Sequence, residues 1–131
     1  MIFRGYSAQL ISVDEGLDVI AYRDAKFYFF QVKYGIYNKE LALERIEITK
    51  SSFENNINSS VYYMFILARD DKKDFLIVPV FVLEKIIDKN GKKIGCTIFH
   101  NKKDVFINKI SSENKVTKYL NKAGWRILQY S

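Results

Sequence analysis

One cysteine (Cys96), one proline (Pro79) and one histidine (His100) are all that this chain of 131 residues holds of those three types. A single cysteine excludes an internal disulfide and any cysteine-based zinc site. A single histidine excludes a paired-histidine metal site, and it leaves a serine nucleophile no base partner but His100, which argues against a catalytic triad. No glycine-rich phosphate loop, dinucleotide fingerprint or Walker pattern occurs, so nucleotide-driven chemistry has no support. No apolar run is long enough to cross a bilayer and no basic-apolar-cleavage pattern opens the chain, so the expected location is the cytoplasm.

What is present argues for one folded domain. Hydrophobic residues make up 48% and aromatics 15%, too many for a disordered chain. The length suits a single domain over 1–131 that buries its own core. The formal net charge is +6, an excess that favours polyanionic partners through counterion release.

Strands are expected first and helices later. Residues 7–13 read as a strand, Asp14-Glu15-Gly16 as a turn, 17–22 as a second strand, and 27–33 as a third, strongly aromatic one after the reversal Arg23-Asp24-Ala25-Lys26. Leu41, Leu43, Ile46 and Ile48 suit either a helix face or an extended segment, and their period does not separate the two. Ser51-Ser52 is expected to cap a short helix through Asn56. The apolar run 61–68 reads as a central strand buried on both faces, followed by a strand over 75–78.

Pro79 suits the first turn of a helix reaching about Asn90 with Gly91 as its cap; the rival reading makes Asn90-Gly91 a hairpin turn. Short strands over 93–99 and 104–108 and a last helix from Ser112 to about Lys122 complete a mixed sheet with helices packed on it. Cys96 reads as a small buried apolar residue. His100, beside Asn101-Lys102-Lys103-Asp104, reads as an ordinary loop residue with no ligand role.

The segment that carries chemistry is the hairpin over 16–33. With its turn centred between Asp24 and Ala25, Arg23 faces Lys26 and Tyr22 faces Phe27, and the same register sets Asp18 opposite Gln31. Directly opposed Cβ atoms lie about 4.5–5.5 Å apart and diagonal ones about 7–8 Å, which makes Lys33 the diagonal neighbour of Asp18 on the same face. A carboxylate, an amide oxygen and an ammonium thus converge near two strand ends, a set suited to a hard divalent cation and the phosphate it binds. The bland alternative is a surface ion pair with a nearby amide.

Asp18, preceded by Gly16 and followed by a hairpin and Gln31-Val32-Lys33, resembles the core of the PD-(D/E)XK nuclease superfamily. The likeness is greatest to its Mrr-like and archaeal Holliday-junction-resolvase-like branches, where Gln-x-Lys can replace Glu-x-Lys. The resemblance implies an α/β, restriction-endonuclease-like mixed sheet flanked by helices, and a Mg²⁺- or Mn²⁺-dependent endonuclease acting on DNA. By the same resemblance Asp18 is the metal-binding carboxylate, Gln31 and the main-chain carbonyl of Val32 share that ion, and Lys33 is the catalytic lysine. The six residues ahead of the first strand leave no room for the helix that carries a glutamate in the family. Asp14, Glu15 or a partner subunit would then supply that acid; otherwise the chain is a degenerate nucleic-acid-binding module. Acting on a duplex or junction implies a homodimer. Tyr34, Tyr37 and Lys39 follow the site closely, and an aromatic-basic mix can stack on or clamp a strand, although the edge of a core has the same look.

Overall fold

The computed structural model describes residues 2–3, 6–10, 19–23, 25–41, 43–57, 61–69, 72–101 and 103–121. It is a mixed α/β fold organised around one long strand. The first strands, β1 (Ile2–Phe3), β2 (Tyr6–Leu10) and β3 (Val19–Arg23), form an antiparallel meander that leads to β4 (Lys26–Asn38). The β3–β4 register is the expected one: Arg23 pairs with Lys26, Tyr22 with Phe27 and Val19 with Phe30. Ala25 takes a positive φ of 61° in the tight turn between the two strands, as two-residue hairpin loops demand.

β4 runs on past Lys33, the expected end, because it serves three neighbours. Its Phe29–Ile36 stretch pairs in parallel with β6 (Val61–Arg69), which in turn pairs antiparallel with β7 (Lys72–Pro79). On its other edge β4 pairs with β3 as far as Phe30 and, from Ile36 to Asn38, with β5 (Leu43–Thr49). β5 continues against β8 (Lys93–Asn101), and β9 (Asp104–Ile107) closes that side. The segment that period could not classify is therefore a strand, and its Ile46 and Ile48 face inward.

The alternation of β6 explains its apolar run. Tyr63, Phe65 and Leu67 point into a large core shared with β5, β7, β8, β9 and the helices, while Met64 joins a smaller core with Tyr28, Phe30 and Ile77 on the opposite face. A strand with neighbours on both edges and apolar cover on both faces has no room for polar alternation.

The first helix ends at Asn56 as expected but begins earlier, and the later ones are shorter than expected. α1 spans Lys50–Asn56, but its N-cap is Thr49 without a side-chain cap, so Ser51 and Ser52 do not cap it. The Lys50 N–H donates instead to the carbonyl of Lys92, 3.0 Å away. α2 spans Val80–Ile86, with Pro79 as its N-cap and Ile87 already extended. It stops there because nothing apolar follows Ile87 before Ile94; neither a helix to Asn90 with a Gly91 cap nor a hairpin at Asn90-Gly91 forms.

The last helix is replaced by two 3-10 turns, Ser112–Asn114 and Thr117–Tyr119. The Val116 N–H is taken by the carbonyl of Val105 at 2.8 Å, and Lys115 bridges Phe106, so tertiary hydrogen bonds displace helical ones. Two asparagines extend strand edges past their last partner. Asn108 accepts from the Thr97 N–H (2.8 Å) and donates its own N–H to the Thr97 carbonyl (2.7 Å). Asn121 does the same to Phe75, at 2.8 and 2.6 Å. Both have positive φ, which asparagine tolerates better than most residues.

Candidate functional site

β4 sets the site. Paired residues share a face, and Gln31 pairs with Tyr63 and Lys33 with Phe65, so both polar side chains stand on the face of the larger core. Gln31 is only 2% exposed and Lys33 is half-buried. Val32 points the other way and packs against the smaller core. Asp14, Glu15 and Asp18 lie outside the described residues. On the edge of β4 that faces β3 and β5, the register with β3 is described as far as Phe30 and that with β5 from Ile36.

The same face of β4 continues through Gly35 to Tyr37. A Cβ on Gly35 would lie 3.1 Å from both the Cβ of Glu44 and the Cδ1 of Ile46, so the missing side chain is what lets β5 cross this close. Tyr37 pairs with Glu44, whose carboxylate is fully buried. Glu44 Oε2 is hydrogen-bonded to Nε2 of His100, whose side chain is 8% exposed, and the Tyr37 ring meets the imidazole edge-on with centroids 5.7 Å apart. Against an ionised Glu44 the hydrogen on that imidazole nitrogen must point at the carboxylate.

His100 is therefore a strand residue in β8, not a loop residue. The sequence reading passes over Glu44 and sets His100 in a loop, yet a signal for the buried pair exists. Glu44 shares parity with Ile46 and Ile48, and His100 with Ile94, Cys96 and Ile98, so strict alternation places both on the inner face. The signal is legible only once 43–49 is known to be extended.

The aromatic-basic group after the site is divided by the fold. Tyr34 is 56% exposed on the face opposite Lys33, Tyr37 packs against His100, and Lys39 lies in the turn after β4 that Asn38 Oδ1 stabilises by accepting from the N–H groups of Glu40 and Leu41. Among the described residues no cluster of three His, Cys, Asp or Glu side chains could hold a metal ion. Of the metal ligands expected from the sequence, only Gln31 and Val32 are described residues, and the Gln31 side chain offers a neutral amide oxygen. No described helix is long and apolar enough to cross a membrane.

No family model matches the chain, and no curated protein matches it significantly. Among solved structures the chain is similar to Hjc, a Holliday junction resolvase of the archaeal hyperthermophile Archaeoglobus fulgidus, with a TM-score of 0.47 and 13% identity over 70% of this chain and 69% of that one.

Proposed function

We propose that this protein is a metal-dependent endonuclease that hydrolyses DNA phosphodiester bonds at the Asp18–Gln31–Lys33 constellation. The observation that carries the reading is the β3–β4 register: it runs without slip to Val19 opposite Phe30, and one further step would set Asp18 opposite Gln31. A buried amide and a half-buried lysine on one face then acquire the carboxylate that hard-cation chemistry needs.

In this reading Asp18, Gln31 and the main-chain carbonyl of Val32 hold Mg²⁺ or Mn²⁺. The bound ion supplies polarisation of the phosphate and a more acidic water. Lys33 stabilises negative charge that develops on the non-bridging phosphate oxygens, and its half-burial strengthens that interaction by lowering the local dielectric. Asp14, Glu15 or the partner in a homodimer supplies a further acid. DNA rather than RNA as substrate rests on the family resemblance of Asp18 and Gln31-Val32-Lys33.

A second reading, a DNA-binding module without catalysis, is favoured by one feature: Gln31 is neutral where a second acid would bind metal more tightly. The two readings separate on labelled single-stranded, duplex and branched DNA in Mn²⁺, with Lys33→Ala and Asp18→Ala beside the unaltered protein. Cleavage that falls by about 100-fold or more in both variants is the expected result. DNA binding without cleavage by the unaltered protein selects the second reading, and cleavage that survives both changes removes these residues from the mechanism.

A further inference from the structure

A separate feature lies two strands away from β4. An open depression of about 620 Å³ forms where the C-terminal end of α2, the start of β8 and the loop after β9 meet. Three lysines line it from three different elements: Lys85 in the last turn of α2, Lys93 at the first position of β8, and Lys109 after β9. Asp88 is the one carboxylate in the lining, so the charge is net positive.

Its floor is fixed by internal bonds. Asn114 donates to the carbonyl of Ile107 at 2.8 Å and accepts from Ser111 Oγ at 2.9 Å. Asn108 is held to Thr97 and reaches the carbonyl of Ile86 at 3.4 Å. Asp88 is partly occupied, accepting from the Asn90 N–H at 3.1 Å. Lys93 is paired with Glu47 at 3.4 Å, but both side chains are about two-thirds exposed or more (71% and 67%), and such surface pairs exchange readily for a stronger anion.

Three lysines around one open depression whose lining asparagines are held by hydrogen bonds suit an extended polyanion passing across the surface better than a small enclosed ligand. We infer that this depression is a second contact for the phosphate backbone of DNA, one that holds the nucleic acid away from the Gln31–Lys33 face and has no part in bond cleavage. The inference rests on the DNA reading proposed above.

The test is the salt dependence of binding to a short labelled duplex, followed by fluorescence anisotropy in EDTA so that nothing is cut. Lys85, Lys93 and Lys109 are changed together to Gln. A control removes the same charge elsewhere through Lys26, Lys103 and Lys118, and unfolding curves verify that both variants fold. If each lysine neutralises one phosphate, the slope of log Kobs against log salt loses about 0.9 per lysine in the first variant and much less in the control.

An independent variant, Gly95→Glu, places a carboxylate in the depression with the lysines intact. A Cβ on Gly95 meets nothing within 4 Å, so the new side chain enters open space. It is expected to weaken binding by about tenfold, the size of one well-placed charge effect. Equal losses in the triple variant and its control, or unchanged binding by Gly95→Glu, overturn the inference while leaving the DNA reading intact. Failure of the unaltered protein to bind DNA at all overturns both.

Discussion

The buried Glu44–His100 pair invites a quantitative test, because burial makes it costly to break and cheap to replace. Both groups lie in the core, with side chains 0% and 8% exposed, and they come from strands 56 residues apart in sequence. His100→Leu keeps the volume of the side chain but removes the donor to Glu44 Oε2, leaving a buried carboxylate deprived of that partner. Breaking a buried pair in this way costs about 3–5 kcal/mol. For a chain of 131 residues the entropy of unfolding is about 0.28 kcal/mol/K, so even the lower figure corresponds to a fall in Tm of roughly 11 °C.

Glu44→Leu alone leaves an imidazole that can remain neutral, at a cost of about 1–2 kcal/mol. The double change to leucine should lie within about 1 kcal/mol of the unaltered protein, since apolar replacement of a buried pair is often close to neutral. Urea unfolding of all four proteins gives the coupling energy directly, expected at about 4–7 kcal/mol for a neutral double change. Additive effects within about 0.5 kcal/mol, or a His100→Leu loss below about 1 kcal/mol, would refute the view that the pair is a mutually dependent unit.

Other outcomes follow from the same contacts. Gly35→Ala places a methyl 3.1 Å from the side chains of Glu44 and Ile46, and should cost about 1–3 kcal/mol by chemical denaturation; an unchanged midpoint would mean that β5 yields freely. Burial pushes the Cys96 thiol up from 9.0 to about 12, so the native protein should resist thiol reagents at pH 8 and react only on unfolding. Because only the unfolded state loses that proton between pH 9 and 12, the thiol's contribution is fully present below pH 9. It declines by about 1.4 kcal/mol per pH unit above it, an extra slope that Cys96→Ala should remove. Lys33→Ala and Asp18→Ala should each lower metal-dependent cleavage by about 100-fold or more, as set out above.

Local patterning made much of the sheet legible. The turn at Asp24-Ala25 and the apolar residues on either side fixed the β3–β4 register, because a two-residue loop allows few alternatives and a slip would turn Ile20 and Phe29 to the wrong face. The apolar run 61–68 announced a strand buried on both sides, and Pro79 marked the passage from strand to helix. The shared face of Gln31 and Lys33 was likewise legible by alternation alone, while Asp18 lies outside the described residues.

Other features were decided by partners distant in the chain. The segment 43–49 is a strand because β4 and β8 flank it, and its own period is equally compatible with a helix. The segment 112–121 is not a helix because Val105, Phe106 and Phe75 take its hydrogen bonds. Glu44 meets His100, and lysines from α2, β8 and the loop after β9 meet around one depression, through contacts that only the folded sheet brings together. The physical reason is one of range. Turn chemistry and alternation act over a few residues, where the chain's own stereochemistry selects the outcome. Long-range pairing is settled by which burial offsets the entropy of closing a long loop, and that quantity belongs to the whole chain.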